Sequence, residues 1–324
     1  MHAPPTGLVY AIYYTALATV AVPVNLVAIV ILSRGRCGLS RCITRYLVSM
    51  AVTDLLVIIT AVILNRISGI YFPGSFLSIT PVCSASIALT YAARVSSVWL
   101  TVAFTFDRCV AICGQKLKTK YCTKETAAVV IGTVGALSCL TNVPWYFIHE
   151  PIYITDNVPW YCRLKDIRYT SPVWTAFDWF DHLVTPCLPF LLILLLNALT
   201  VSHILAAGTV RRRLRARGNG ESQSDPEMAS RRKSIVLLFA ISGSFILLWM
   251  TYVVQFLYER ITNDYKVNGF TDPKFIFIES ANMLQLLSCC TNTFIYAATQ
   301  SKFREQLKNM VQYPLKIIGK LFTS

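Results

Sequence analysis

Long apolar stretches alternate with short charged ones along almost the whole chain. The most continuous apolar stretches are residues 10–32, 127–147, 186–201 and 235–258. About 20 apolar residues in a helix cross the hydrocarbon layer of a bilayer. Helix is favoured there because lipid offers backbone groups no hydrogen-bond partner. The pattern therefore predicts a membrane protein that spans the bilayer several times as helices.

Seven spans are predicted, followed by a shorter helix on the membrane surface. In that last segment Phe303, Leu307 and Met310 recur at helical spacing on one face, which is typical of a helix lying in the interface. The fold class is therefore expected to be all-α, with residues 1–324 forming one seven-transmembrane domain. The predicted spans are 8–33, 43–67, 80–113, 124–147, 173–211, 231–259 and 273–298, and the surface helix is 301–312.

Positive charge is concentrated on one side of these spans. Of the 30 Lys and Arg residues, 22 lie in or beside the segments after spans one, three and five and in the tail. Because such an excess marks the cytoplasmic side, we expect a multi-pass protein of the cell membrane with its N-terminus outside and its C-terminus inside. The net charge of +14 then belongs to the cytoplasmic face. It suits anionic membrane lipid, above all at residues 211–217, and does not indicate nucleic-acid binding.

Cysteine positions agree with this orientation. Of the 11 cysteines, only Cys83 and Cys162 fall on the predicted outer side, where disulfides persist. We therefore expect one disulfide between the start of span three and the loop after span four.

Polar residues inside a membrane are costly and tend to be functional, and here five of the spans carry one or two. They are Asn25, Asp54, Asp107, Arg108, Trp249, Asn292 and Tyr296. With Cys83 at the start of span three, Pro189 in span five and Phe245 one turn before Trp249, this ordered set resembles the rhodopsin-like (class A) G-protein-coupled receptors. The resemblance covers nearly the whole chain.

Within that family, the segments 281–287, 292–296 and 301–304 look like the orphan branch named probable G-protein coupled receptor 139. The resemblance implies a receptor that passes an extracellular signal to a heterotrimeric G protein, which is Gq-type in that branch. It also implies a small-molecule or peptide agonist, such as an aromatic amino acid. The arginines of 211–217 could contact either the lipid or the G protein.

The chain departs from the family pattern at four places. Cys109 follows Asp107-Arg108 where tyrosine is usual, and Val134 lies near the place of the tryptophan of span four. Thr251 in span six and Thr293 in span seven replace prolines. Proline removes a helical hydrogen bond and adds a clash, so we expect weaker kinks at those two positions.

The resemblance assigns four residues to G-protein coupling: Asp107, Arg108, Asn292 and Tyr296. At rest Arg108 is expected to pair with Asp107, and after span six opens it would meet the G protein. Many relatives have an acid at the base of span six that also restrains this arginine, whereas this chain has Arg231. We therefore expect a loosely held resting state with appreciable basal signalling.

A polar group in the middle of the bundle resembles the sodium site of the family. It consists of Asp54, Ser97, Ser288 and Asn292. Oxygen ligands suit a hard cation, so a sodium ion is the one cofactor that the sequence implies. The alternative is a protonated Asp54 in a water network, because burial disfavours the charged form.

Arg94 is the most informative residue about the ligand. It precedes Arg108 by 14 residues, about 21 Å along a helix at about 1.5 Å per residue, which is the depth of the family's ligand pocket. Thr90 stands where amine-binding relatives have an aspartate, so an amine ligand is not expected. An arginine here suits a ligand carboxylate. The alternative is an internal salt bridge with Asp178, Asp181 or Glu279.

Helical phase predicts the other residues of this pocket. Aromatic walls with few polar groups are usual for small-ligand sites, although such residues also serve as packing or as an interfacial belt. The predicted set is Tyr91, Trp179, Asp181, His182, Trp249, Tyr252, Phe256, Asn282 and Gln285.

Other functional classes find less support. The sequence contains no zinc-protease, serine-hydrolase or phosphate-loop motif, so an enzyme is not expected. A light receptor needs a lysine within span seven, and none lies between Lys274 and Lys302. A multi-span transporter is the remaining alternative, but internal repeats and broken helices in corresponding positions, which favour that class, are not evident.

Overall fold

A computed structural model describes residues 5–217, 226–262, 269 and 271–322. Within these ranges, the side chains of residues 5, 6, 115, 116, 169, 210–217, 226–231 and 313–322 are outside the description. Helices make up most of the described chain. This confirms the predicted all-α fold class.

Eight long helices follow one another in the ranges that the structure describes. Two are compound, with a π-helical segment between α-helical ones. The helices are α1 (Pro5–Ser33), α2 (Arg41–Val57, π-helical Ile58–Ile67 and Ser68–Tyr71), α3 (Thr80–Cys113), α4 (Lys124–Asn142), α5 (Pro172–His182, π-helical Leu183–Cys187 and Leu188–Arg217), α6 (Pro226–Thr262), α7 (Pro273–Thr299) and α8 (Ser301–Phe322). Short helices lie at Phe76–Ser78, Gln115–Tyr121, Pro144–Phe147 and Ile167–Thr170.

By length and composition, α1 to α6 could each cross a membrane. Helix α7 is also long enough, but Glu279, Asn282, Gln285 and Asn292 interrupt it, so it contains no stretch as apolar as those of the other six. It nevertheless packs along α6 and touches α1 and α2. Its polar residues therefore lie within a bundle of helices. Composition alone does not identify α7 as a member of that bundle.

Helix α3 is the central helix of the bundle. It contacts α2, α4, α5 and α6, and buried residues occur along its whole length, from Thr80 to Ile112. By contrast, α5 exposes a row of large apolar side chains, among them Leu191, Leu195 and Leu199. Such exposure is expected for a face that meets lipid, because lipid chains are as apolar as leucine. Functional side chains on α3 can therefore face several helices at once.

The backbone of α5 is interrupted at one point. Thr185 has φ −148° and ψ 101°, outside the helical range, and directly precedes Pro186. Proline disfavours the helical conformation in the residue before it, which accounts for the break. Pro189, which the sequence singled out, lies in the first turn of the following segment, where proline is tolerated.

Two small antiparallel sheets of two strands each lie in the loop between α4 and α5. Strand β1 (His149–Glu150) pairs with β4 (Arg163–Leu164), and β2 (Tyr153–Thr155) pairs with β3 (Val158–Trp160). Asp156 and Asn157, at φ 52° and 60°, make the turn between β2 and β3, as these residues often do in tight hairpins.

The predicted disulfide is confirmed. Cys83 in the first turn of α3 is bonded to Cys162 between β3 and β4, with their Cα atoms 6.2 Å apart. This bond connects the loop that carries β1 to β4 with the central helix. We call this end of the bundle the disulfide end, and the opposite end, where α3 finishes, the Arg108 end.

Three helices extend furthest past the limits predicted from apolarity. Helix α5 continues to Arg217 and α6 already begins at Pro226, while α8 continues to Phe322 and not to residue 312. The residues that α5 adds are mostly arginine, and those that α6 adds begin with Pro226 and Glu227, so apolar patterning does not reveal them. In α8, Pro314 lies inside the helix, although an internal proline usually ends one.

Loss of the disulfide is expected to lower the melting temperature of the purified protein. Cys83→Ser and Cys162→Ser should each cost about 2–5 kcal/mol of unfolding free energy. The double variant should melt with the single ones, because both substitutions remove the same bond. Cys139→Ser, at an exposed free thiol of α4, is the control and should melt as the native protein does. If the double variant lost stability equal to the sum of the two single losses, Cys83 and Cys162 would not be bonded to each other.

Candidate functional site

Arg94 lies on α3 with aromatic rings around it. Its guanidinium is 5.6 Å from the ring centre of Tyr91 and 5.7 Å from that of Tyr252. One Nη donates to the Tyr252 hydroxyl at 3.4 Å, whereas the buried Nε has no hydrogen-bond partner among the described residues. No carboxylate of the described chain lies within 4.0 Å of Arg94. The charge of Arg94 is thus met by aromatic faces and a phenol.

Two of the three acids considered as internal partners of Arg94 are bound to other arginines. Glu279 accepts hydrogen bonds from Arg66 at 2.9 Å and from the Tyr14 hydroxyl at 2.8 Å. Asp178 accepts one from Arg168 at 2.6 Å and also pairs with Arg260. An internal salt bridge of Arg94 with either acid is therefore wrong as a description of this structure. The helical spacing in the sequence does not show which arginine pairs with a given acid.

Asp181, the third of these acids, lies near Arg94 without contacting it. The two side chains are within electrostatic range, and the Asp181 carboxylate also lies beside the indole of Trp145 and near Tyr252. A positive and a negative group thus face the same aromatic surroundings without forming a salt bridge. Such a separated pair is able to receive a ligand that carries both charges.

Trp145 is a residue of this region that the sequence interpretation missed. Its ring stacks on Tyr91 at 4.3 Å with 8° between the planes, and the guanidinium of Arg168 lies 5.2 Å from it. Trp145 is 2% exposed, but its aromatic character alone does not separate it in the sequence from Tyr146 and Phe147 beside it.

Trp249 forms the lower wall of the same region. Its ring packs on Phe245 at 5.2 Å and meets Tyr252 edge-on at 5.8 Å. The indole N–H donates to the Ser288 hydroxyl of α7 at 3.2 Å. Gln285, one turn along α7, is fully buried, and neither end of its amide has a hydrogen-bond partner among the described residues.

An ionic cluster closes the bundle nearer the disulfide end. We call it the arginine cap: Arg168, Asp178 and Arg260. The carboxylate of Asp178, on α5, is buried between the two guanidinium groups, which come from the helix Ile167–Thr170 and from α6. The cap thus joins three elements. It also lies against predicted pocket residues, since the Arg260 guanidinium is 5.3 Å from the Phe256 ring and 5.6 Å from that of Trp179.

The predicted pocket residues fall into two neighbouring groups. Tyr91, Asp181, Trp249 and Tyr252 lie around Arg94, as described above. His182 stacks on Phe256 at 4.1 Å and belongs with Trp179 to the surroundings of the arginine cap. Asn282 is half-buried on α7, and its part in the pocket stays a prediction.

The four residues of the expected sodium site meet around one small cavity. Asp54 is 1% exposed and accepts hydrogen bonds from the Ser97 hydroxyl at 2.6 Å and from the Asn292 amide at 2.8 Å. Ser288 completes the set, and Trp249 lines the cavity on the side of Arg94.

This donor set fits a small hard cation. The oxygens facing the cavity are a carboxylate and hydroxyls, which such ions prefer, and there is room for about one water-sized particle. Among the described residues no group of three or more His, Cys, Asp and Glu side chains could hold a metal ion. The site therefore does not suit a transition metal.

Arg108 is turned inwards at the opposite end of α3. Its Nε donates to Asp107 Oδ2 at 3.0 Å and a second nitrogen bonds the same oxygen. This is the pairing expected at rest. A further nitrogen donates to the Ser234 hydroxyl of α6 at 3.4 Å. Arg231, which was expected to repel Arg108, has a side chain outside the described part of the chain.

Asp107 has two further contacts that the sequence did not predict. The thiol of Cys42 donates to Oδ1 at 3.1 Å, and that of Cys122 donates to the main-chain oxygen at 3.5 Å. Farther along, the fully buried Tyr296 packs edge-on against Phe303 at 6.0 Å. Its hydroxyl has no hydrogen-bond partner among the described residues.

Comparison with known proteins adds an independent finding. A family model described as "7 transmembrane receptor (rhodopsin family)" matches residues 24–296. "Probable G-protein coupled receptor 142" of Mus musculus is 23% identical over 312 residues, which are 94% of this chain and 73% of that protein. The "Thyrotropin-releasing hormone receptor" of Homo sapiens is 26% identical over 281 residues, 82% of this chain and 68% of that protein.

The arginine cap is expected to stabilise the fold through Asp178. In Asp178→Asn the two guanidinium groups lose their common counter-charge, and breaking a buried ion pair costs about 3–5 kcal/mol. Thermal unfolding of the purified protein measures the loss. Glu150→Gln removes an exposed pair with Arg163 and should cost at most about 1 kcal/mol. Equal melting of the two variants would show that the cap adds nothing beyond an exposed pair.

Proposed function

The chain belongs to the rhodopsin family of seven-transmembrane receptors, whose members signal through G proteins, and we propose that it detects a small carboxylate-bearing agonist at Arg94. The observation that carries this proposal is the guanidinium of Arg94. It lies between two aromatic rings and without a carboxylate of the described chain in contact. The family match also favours a receptor over the transporter considered as an alternative.

The proposed orientation places the disulfide end outside the cell. Two independent features support it. Disulfides persist in oxidising surroundings, and the bond of Cys83 with Cys162 lies at this end. The excess of Lys and Arg lies towards the Arg108 end, as expected for a cytoplasmic face. The N-terminus is then extracellular and the C-terminus cytoplasmic, in the cell membrane.

The agonist that fits best is an aromatic amino acid or a short peptide that contains one. A carboxylate would form a bidentate pair with Arg94. Asp181 lies close enough to receive an ammonium group, and the rings of Tyr91, Trp145 and Tyr252 supply an aromatic wall. The hormone in the name of one relative is compatible with a peptide agonist.

Trp249 is the proposed first element of signal transmission. It touches Tyr252, which is bonded to Arg94, and it also lines the Asp54 cavity through its bond to Ser288. An agonist that pulls on Arg94 and Tyr252 therefore changes the packing of Trp249 on α6. The movement of α6 would then separate Ser234 from Arg108.

Released from α6, Arg108 is proposed to leave Asp107 and to contact a heterotrimeric G protein. The resemblance to the receptor 139 branch supports a Gq-type protein. Asn292 and Tyr296 of α7 are proposed to take part in the coupling to the G protein. The resting contact between Arg108 and α6 goes through a neutral hydroxyl, which supports a loosely held resting state with basal signalling.

A sodium ion in the Asp54 cavity is the second part of the proposal. The carboxylate of Asp54 and the hydroxyls of Ser97 and Ser288 would hold it. When bound, the ion supplies positive charge that compensates Asp54 in the closed bundle. Because its ligands come from α2, α3 and α7, it would stabilise the resting arrangement of these helices.

Arg94→Ala is expected to weaken a carboxylate agonist by about 10- to 100-fold, because it removes a charge-assisted hydrogen bond. The measurement is calcium release from cells given a panel of aromatic amino acids and short peptides. Arg163→Ala, at the exposed guanidinium of β4, is the control.

The carboxamide analogue of the best agonist sharpens this test. It should be weaker than the carboxylate at the native receptor and nearly equal to it at Arg94→Ala. Unchanged agonist potency in Arg94→Ala, at matched surface expression, would exclude a ligand role for this arginine.

Sodium is expected to raise the melting temperature of the purified native protein relative to potassium at equal ionic strength, since a ligand of the folded state stabilises it. Asp54→Asn should abolish the difference by removing the anionic ligand. Ser242→Ala, at a buried hydroxyl bonded within α6, should retain it. A sodium effect that survives in Asp54→Asn would place the ion elsewhere.

A further inference from the structure

The carboxylate of Asp107 is held from two sides. Arg108 occupies Oδ2, and the thiol of Cys42 in the first turn of α2 donates to Oδ1 at 3.1 Å. Both Cys42 and Asp107 are buried, at 3% and 5% exposure. Each carboxylate oxygen of Asp107 therefore has a donor.

Cys122 restrains the backbone of the same residue. It lies between the helix Gln115–Tyr121 and α4, and its thiol donates to the main-chain oxygen of Asp107 at 3.5 Å. Cys122 also lies within electrostatic range of Cys42. The two thiols thus connect α2 and the loop before α4 to one residue near the end of α3.

We propose that Cys42 and Cys122 are positioning residues that hold Asp107 in the orientation in which it retains Arg108. This inference rests on the proposed function, in which the release of Arg108 permits contact with the G protein. A thiol is a weak donor, but a buried carboxylate oxygen without any donor is costly. Without the Cys42 thiol, Asp107 would turn towards other donors or water, and its alignment with Arg108 would be lost.

A neighbouring cysteine separates this role from general packing. Cys37 is also buried and free, and it also lies near the Arg108 end, between α1 and α2. Its thiol donates to the carbonyl of Ile31 at 3.9 Å and contacts no acid among the described residues. Replacing Cys37 therefore removes a buried thiol without changing the surroundings of Asp107.

The test measures agonist-free binding of radiolabelled GTPγS in membranes from cells that co-express G-protein α subunits of each class, at matched receptor surface level. Cys42→Val keeps the side-chain volume and removes the donor, so basal binding is expected to rise on the order of threefold. Cys42→Ser restores a donor and should return binding towards the native level. Cys37→Ala should match the native receptor.

A double variant distinguishes positioning from loss of structure. Asp107→Asn removes the charge that retains Arg108 and should itself raise basal binding. Adding Cys42→Val to it should raise binding no further, because both changes act on the same contact. Cys122→Val, at a half-buried loop residue, should raise binding in the same direction, and it carries the test if Cys42→Val does not reach the surface.

The outcomes separate this inference from the proposed function. If Asp107→Asn raises basal binding but Cys42→Val and Cys122→Val do not, the positioning role is wrong and the receptor function stands. An equal rise in Cys37→Ala, or no recovery in Cys42→Ser, also overturns the role. If no variant exceeds cells that lack the receptor with any α subunit, the proposed function fails, and the inference fails with it.

Discussion

Lipid offers an ion neither water nor a counter-charge, so each charged side chain between the helices has to find its partner within the protein. Most of the buried charges follow this constraint. Arg108 pairs with Asp107, Arg66 with Glu279, and Asp178 with two arginines. The first of these pairs lies at the Arg108 end, and the other two groups lie towards the disulfide end. Arg94 and Asp181 are close to each other but form no ion pair. A charged ligand could therefore supply the counter-charge that each of them lacks.

Helix α3 carries residues of several of the candidate sites along its length. Arg94, Ser97 and Arg108 lie on this single helix, which contacts α2, α4, α5 and α6. Their separation is therefore set by helical geometry and not by loops. The surroundings of Arg94, the Asp54 cavity and the Arg108 end are therefore different segments of the same helix. Side chains of α6 and α7, such as Trp249 and Ser288, connect the first two of these segments.

Features that depend on local pattern and family order could be predicted from the sequence. The helical class and the Cys83–Cys162 bond follow from apolar length, charge bias and the ordered polar set. The gathering of Asp54, Ser97, Ser288 and Asn292 was expected from the family resemblance. Features that depend on the rotation of one helix against another could not be predicted. The arginines bound to Asp178 and Glu279, the stacking of Trp145 on Tyr91 and the thiols at Asp107 belong to this second kind. The break at Thr185 follows from Pro186, but Pro186 and Pro189 are equally visible in the sequence, which does not show at which of them the helix breaks.

The length of α6 gives the arginine cap a mechanical meaning. Helix α6 is one unbroken helix of 37 residues without an internal proline, so it behaves as a stiff lever. The cap holds it at Arg260, and Ser234 lies 26 residues away, about 39 Å along the axis at about 1.5 Å per residue. With Arg260 as the fulcrum, a tilt of about 5° displaces Ser234 by about 3.4 Å. That displacement is as long as the hydrogen bond that Ser234 accepts from Arg108. A tilt this small hardly disturbs the packing near Arg260, yet it is enough to separate Ser234 from Arg108. How far Ser234 moves therefore depends on how firmly the arginine cap holds Arg260.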